Sequence, residues 1–147
     1  MTKGAAAASP RTSLALGVLI TSAGGALGAV LRWSLTEAFP VVAGRFPWTT
    51  LLINVAGSGL LALLPLFRGV RRRPWLALLL GTGLLGGFTT MSTASVETFA
   101  LLDRGDVGLG LAYSMGTLAG ALAAVLLADH LTTAKERREI GAGEGDE

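Results

Sequence analysis

The sequence has no cysteine and a single histidine, His130, and only 15% of its 147 residues are charged. Without cysteine there is no disulfide, no thiol nucleophile and no cysteine metal site. One histidine excludes a metal-histidine cluster and a Ser-His-Asp triad. The shortage of charge excludes a water-soluble domain. An average globular chain carries about a quarter charged residues, and a chain this short has too little interior to hide the 51% of residues that are hydrophobic. A bilayer must supply the missing interior, in keeping with a mean hydropathy of +0.60. The length allows one domain, residues 1–147.

What the chain does have is four uncharged stretches, residues 12–31, 46–67, 74–96 and 107–128. A helix rises about 1.5 Å per residue, so about 20 residues cross a hydrocarbon core of roughly 30 Å. The expectation is an all-α membrane protein with four transmembrane helices, short connections, and mobile tails at 1–11 and 130–147. A cleaved signal peptide over residues 1–29 is disfavoured, because three more spans follow it. Trp33, Phe39, Phe46 and Trp48 surround the first connection and Phe67 and Trp75 flank the second, at positions suited to an interfacial aromatic belt.

The basic residues are unevenly placed. The N-terminus, second connection and C-terminal tail hold nine Lys and Arg residues, against Arg45 and Arg104 on the opposite side, with Arg32 at the end of span one. This bias predicts a multi-pass protein of the cell (plasma) membrane with both termini in the cytoplasm. It also gives the pI of about 9.7 a meaning other than nucleic-acid binding.

Small residues recur at four-residue spacing in span four (Gly108, Ala112, Gly116, Gly120, Ala124, Ala128), and Gly24 with Gly28 and Gly83 with Gly87 repeat the pattern in spans one and three. Such stripes let helices approach closely in lipid. Four helices shelter few polar groups among themselves, so at least a dimer is expected.

Polar residues nevertheless lie at membrane depth. Thr50, Asn54 and Ser58 stack at i, i+4 and i+8 on span two. A buried amide without partners costs several kcal/mol, so Asn54 must face protein or water. It serves either to present N–H donors to an anion or to make a helix-to-helix hydrogen bond. Residues 81–95 of span three hold four glycines and six hydroxyl residues. The paired Gly86 and Gly87 invite local unwinding, and broken membrane helices occur where freed backbone groups line a cavity or bind ions. The alternative is a flexible helix whose hydroxyls bond back to their own carbonyls. Gly81, Gly83 and Gly86 also fit a dinucleotide-binding spacing, but no βαβ unit surrounds them. Tyr113 and Thr117 add a hydroxyl track on span four, and Glu97 closes span three. Arg32 either concentrates anions at a vestibule or snorkels to headgroups. No acid/base pair lies in the spans, so the chain is not expected to be an enzyme. A neutral polar track suits passive ion movement.

The segments Gly24-Gly-Ala-Leu-Gly-Ala-Val-Leu-Arg32, Thr50-Leu-Leu-Ile-Asn-Val-Ala-Gly57 and Gly86-Gly-Phe-Thr-Thr-Met-Ser-Thr93 together resemble the Fluc/CrcB fluoride ion channel family, across all four spans in order. The resemblance implies an antiparallel dimer of four-helix subunits, the third helix broken near its middle, through which fluoride leaves the cytoplasm passively. It implies a structural, untransported Na+ at the dimer centre, held at Gly86 and Thr89. It maps the pore onto Asn54, Ser92, Thr93, Tyr113 and Thr117, with Arg32 and Glu97 near vestibules. Where the family usually has two phenylalanines, this chain has Met91 and Ala94, which lack the positive ring edge that faces an anion. That gap and the charge bias together favour a heterodimer with an inverted homologous subunit over a homodimer. Two other readings compete: a small multidrug-type cation efflux transporter, which needs a membrane-embedded carboxylate, and a non-conducting assembly partner of a fluoride channel.

Overall fold

The structure, a computed structural model, describes the backbone of residues 13–143 and the side chains of residues 13–133. Among the described residues there is no strand, and four helical stretches are long and apolar enough to cross a membrane: Leu14–Ala38, Trp48–Leu66, Pro74–Asp103 and Val107–Thr133. The basic tail residues Lys3 and Arg11 lie outside the described residues, as does the first tail as a whole. The last helix continues as backbone to Gly143.

Helix α1 (Leu14–Ala38) begins where Ser13 caps it, the hydroxyl accepting the Leu16 N–H at 3.3 Å. It runs on beyond the uncharged stretch through Arg32 and Glu37 and stops ahead of Pro40. Charge marks the depth of the hydrocarbon, whereas the end of a helix is set by a residue such as proline that cannot continue it. Ser34 and Thr36 stay in the helix by donating to the carbonyls of Val30 and Trp33, at 2.9 and 2.8 Å.

The turn after α1 uses Gly44 at φ +75°, against the Arg104 guanidinium of the third connection. Helix α2 (Trp48–Leu63) follows and closes in a 3₁₀ turn, Leu64–Leu66, that contains Pro65. The second connection is itself ordered as the short helix α3 (Arg68–Arg72).

The third span is composite. Helix α4 (Pro74–Ala77) passes into π-helical turns over Leu78–Leu85 and then α5 (Gly86–Phe88). Thr89 (φ −76°, ψ 153°) and Thr90 (φ −149°, ψ 110°) have extended backbone, and α6 (Met91–Asp103) follows. The extended residues are therefore the two threonines, not the glycine pair. Gly86 is α-helical, and Gly87 lies so close to Gly25 that its Cβ position would fall 2.9 Å from the Gly25 Cα. Helix α6 also runs past the uncharged stretch to Asp103, which puts Glu97 inside it rather than at its end. Gly105, at φ +84°, turns the chain into α7 (Val107–Gly143).

Packing divides the four spans into two sets of contacts. Helix α1 lies along the first half of the third span, and α7 lies along α2 and α6. The first contact is backbone against backbone: a methyl on Gly24 or Gly28 would strike the carbonyls of Leu79 or Leu84. The small-residue spacing of spans one and three thus marks one shared interface, the kind that holds helices together where lipid removes the hydrophobic drive. The fourth-span stripe is used in part. Gly116, Gly120 and Ala124 face Leu51, Val55 and Gly59 of α2, while Gly108 meets nothing within 4 Å. The leucines around the outside, such as Leu19 and Leu126, are exposed, as lipid-facing side chains are.

Candidate functional site

The stack on α2 sends its three polar side chains to three destinations. Thr50 is fully buried and donates to Glu97 Oε1 at 2.8 Å. Asn54 reaches the extended residues of the third span: its Nδ2 donates to the Thr90 carbonyl at 2.9 Å, and its Oδ1 accepts the Thr90 N–H at 2.7 Å. Ser58 opens onto a cleft.

The Asn54 pairing explains why the backbone tolerates two extended residues at membrane depth. Lipid offers no hydrogen bonds, so a main chain that leaves the helix must be satisfied by protein. The amide of Asn54 supplies a donor and an acceptor together, as a neighbouring peptide group would. The Thr90 hydroxyl completes the repair by accepting the Thr93 N–H at 3.1 Å, which caps α6, while lying 2.9 Å from the Thr93 hydroxyl and 3.2 Å from that of Ser92. Ser92 and Thr93 therefore sit at the start of α6 around Thr90.

A second polar centre lies deeper between the helices. Tyr113 is fully buried and donates to Glu97 Oε2 at 2.5 Å, so both carboxylate oxygens are occupied, one from α2 and one from α7. Phe46 stands edge-on to the Tyr113 ring at 5.5 Å and packs against it. The carboxylate expected at a vestibule faces the interior of the bundle. Arg32, expected at the other vestibule, is half-buried and donates from Nε to the Gly87 carbonyl at 3.3 Å. It ties α1 to the segment just before the extended threonines.

The cleft has a volume of about 430 Å³ and lies between α2, α6 and α7 at the level of the threonines. Asn54, Thr90 and Thr117 line it, with Met91 and Ala94 on its α6 side. Among the predicted pore residues the structure thus brings Asn54 and Thr117 to the cleft, gathers Ser92 and Thr93 around Thr90, and sends Tyr113 to Glu97. Met91 is 70% exposed, whereas Ala94 is 6% exposed and packs with Leu101 and Tyr113.

Sequence reading missed Thr90 as the hub, and it missed Ser95, Thr98 and Ser114, which also line the cleft. The spacing Ser95-x-x-Thr98 on α6, opposite Ser114-x-x-Thr117 on α7, was the available signal. Most of these hydroxyls donate back into their own helices: Ser95 to Met91, Thr98 to Ala94 and Thr117 to Tyr113, at 2.8–2.9 Å. Such a bond satisfies the group without fixing it, because rotation about the C–O bond turns the proton toward a neighbouring anion. The lining carries no charged side chain. It can replace the hydration of a small anion with O–H and N–H donors, and it contains no nucleophile–base pair for catalysis.

Among the described residues no three His, Cys, Asp or Glu side chains converge on a metal position. Backbone oxygen is a different matter at Gly86. In a continuous helix its carbonyl would accept the Thr90 N–H, and that N–H is given to Asn54 instead.

Comparison with known proteins follows the same pattern. The family model described as CrcB-like protein, Camphor Resistance (CrcB), matches residues 19–128. The chain is 40% identical over 122 residues to the fluoride-specific ion channel FluC 2 of Nitrobacter hamburgensis, a match covering 78% of this chain and 98% of that one. It is 41% identical over 115 residues to the fluoride-specific ion channel FluC of Rhizobium meliloti, covering 74% and 89%. To the fluoride-specific ion channel FluC 1 of Desulfitobacterium hafniense it is 45% identical over 97 residues, covering 65% and 84%.

Proposed function

The chain belongs to the CrcB family, and from that premise we propose that it works as a subunit of a fluoride-specific ion channel, moving fluoride passively and catalysing no reaction. The observation that carries this reading is the uncharged cleft, in which Asn54 and hydroxyls from α2, α6 and α7 converge beside the extended Thr89 and Thr90. Fluoride is small and tightly hydrated, so a dry path needs closely placed donors of this kind to replace its water.

The extended threonines serve as the break in the third helix. The cleft opens on one side of the chain, and a second subunit, inverted relative to the first, closes it into a pore. A heterologous mate is favoured, because nine basic residues against two fix one orientation and because Met91 and Ala94 supply no aromatic edge. In that orientation both termini face the cytoplasm of a cell-membrane protein.

Gly86 and Thr89 fit the hard, oxygen-seeking Na+. The Gly86 carbonyl gives up its helical partner, and Gly86 is exposed toward the outside of the chain. Gly86 and Thr89 would hold the ion through backbone oxygens, and the ion would supply fixed positive charge there. The side chains do the rest: Asn54 holds the backbone that presents those oxygens, and the Thr89 hydroxyl is satisfied by the Leu85 carbonyl at 3.0 Å.

The cation-transporter reading needs a free carboxylate in the membrane. Glu97 is inside the bundle, but both of its oxygens are taken by Thr50 and Tyr113. Fluoride efflux from liposomes tests the proposal. Vesicles holding this chain with a homologous mate should release fluoride far faster than empty vesicles and retain chloride. Release no faster than from empty vesicles, from both the single chain and the pair, removes it.

A further inference from the structure

The second connection is strongly basic. Helix α3 and the residue after it hold four arginines in six positions, Arg68, Arg71, Arg72 and Arg73, all exposed. Arg68, Arg71 and Arg72 are three and four apart and share one face of the short helix. The only ion pair among the described residues is Arg104 with Asp106, so none of the four is neutralised by a described carboxylate.

The turn is held in shape. Arg71 donates from Nη1 to the Pro65 carbonyl at 2.9 Å, and the 3₁₀ turn and Pro74 bracket α3 on either side. Directly beneath lies a cleft of about 400 Å³ between the end of α2 and the start of the third span, walled by Leu61, Leu64, Val70 and Ala77 with Arg71 at its rim. Gly81 forms its far end, where a Cβ would sit 3.4 Å from Leu64 Cδ1. Phe67 and Trp75, both exposed, flank the turn on its two sides, and aromatic rings at the ends of spans favour the headgroup region.

We propose that this turn is a binding site for an anionic phospholipid, whose headgroup phosphate lies against Arg68, Arg71 and Arg72 and whose acyl chain enters the cleft. Two features converge on that occupant. Guanidinium groups match phosphate oxygens through paired N–H donors. A free phosphate would use the arginines and leave the apolar cleft exposed, whereas a zwitterionic lipid would fill the cleft and offset the attraction with its own cation. Only an acidic lipid satisfies the rim and the walls together. A basic cluster next to a membrane helix attracts acidic lipid by electrostatics alone, and the cleft converts that attraction into a position.

Trp75 provides the readout. A full-length Trp33→Phe/Trp48→Phe variant leaves it as the single tryptophan, and its fluorescence is followed in detergent micelles doped with brominated phosphatidylglycerol or brominated phosphatidylcholine. The expected result is half-maximal quenching by phosphatidylglycerol at a mole fraction about tenfold lower than by phosphatidylcholine. Replacing Arg68, Arg71 and Arg72 by Gln should bring that ratio below about twofold. Ala77→Phe, which fills the cleft and leaves the charge alone, should weaken quenching by phosphatidylglycerol severalfold. Equal quenching by both lipids in the unsubstituted turn overturns the proposal without recourse to any arginine variant. Phosphatidylglycerol quenching that Ala77→Phe leaves unchanged, together with inorganic phosphate binding by the lipid-free protein, also overturns it, since the cleft then takes no part and the site is one for the free anion.

Discussion

Asn54 binds the main chain of Thr90 at both of its groups, accepting from the N–H at 2.7 Å and donating to the carbonyl at 2.9 Å. Removing the side chain leaves two buried backbone groups unpaired. Asn54→Ala should therefore destabilise the chain by about 1–3 kcal/mol, a range that allows for partners found by the unfolded chain in the membrane. It should abolish fluoride flux in the same protein. Thermal unfolding in detergent and liposome efflux check the two effects separately. Asn54→Asp keeps the acceptor but sets an oxygen against the Thr90 carbonyl, so it should behave like Asn54→Ala.

Gly28 and Gly108 belong to similar small-residue patterns and should respond differently to one methyl group. A Cβ at Gly28 would collide with the Leu84 carbonyl and come within 2.8 Å of the Phe88 nitrogen. Those are backbone atoms, and neither helix can yield without separating, so Gly28→Ala should cost at least about 1–3 kcal/mol. Gly108→Ala meets nothing within 4 Å and should leave the thermal midpoint of the monomeric chain within about a degree of the parent. If Gly108→Ala instead weakens an oligomer seen by cross-linking, the unused part of the fourth-span stripe belongs to a subunit contact.

The four spans were legible, because a scarcity of charge over about 20 residues has few explanations other than a bilayer. That Gly24 and Gly28 pack closely on another helix followed from spacing; that this helix is the third span did not. The helix ends did not, since Arg32 and Asp103 lie beyond the apolar stretch yet stay helical. A carboxylate in lipid is costly, so charge alone puts Glu97 at the end of its span. Its two partners, Thr50 and Tyr113, are 47 and 16 residues away, and no local pattern announces them. Thr90 was hidden for the same reason: its importance comes from Asn54, 36 residues earlier in the chain.

The Thr50–Glu97–Tyr113 cluster should behave as one unit. Both hydroxyls point at one carboxylate, so losing either leaves the charge with half of its described partners. Thr50→Val and Tyr113→Phe should each destabilise the fold, and the double variant should differ from their sum by about 0.5–3 kcal/mol. A double-mutant cycle in denaturant measures this directly. Simple additivity would mean that Glu97 is solvated from elsewhere.

Met91 and Ala94 set the last expectation, because their surroundings differ as much as their exposures of 70% and 6%. A ring at position 91 displaces nothing, so Met91→Phe should leave stability unchanged. A ring at position 94 must either turn into the cleft that Ala94 lines or press on Leu101 and Tyr113, at a cost of about 1–3 kcal/mol. An edge-to-face aromatic contact is worth on the order of 1 kcal/mol, so two ring edges facing an anion on that scale correspond to roughly thirtyfold in rate. The Met91→Phe/Ala94→Phe variant, reconstituted without any mate, should therefore conduct fluoride roughly thirtyfold faster than the parent chain in a liposome efflux assay. Parent and variant conducting equally well would show that this chain does not depend on aromatic edges, and the need for a heterologous mate would then rest on the asymmetry of its basic residues alone.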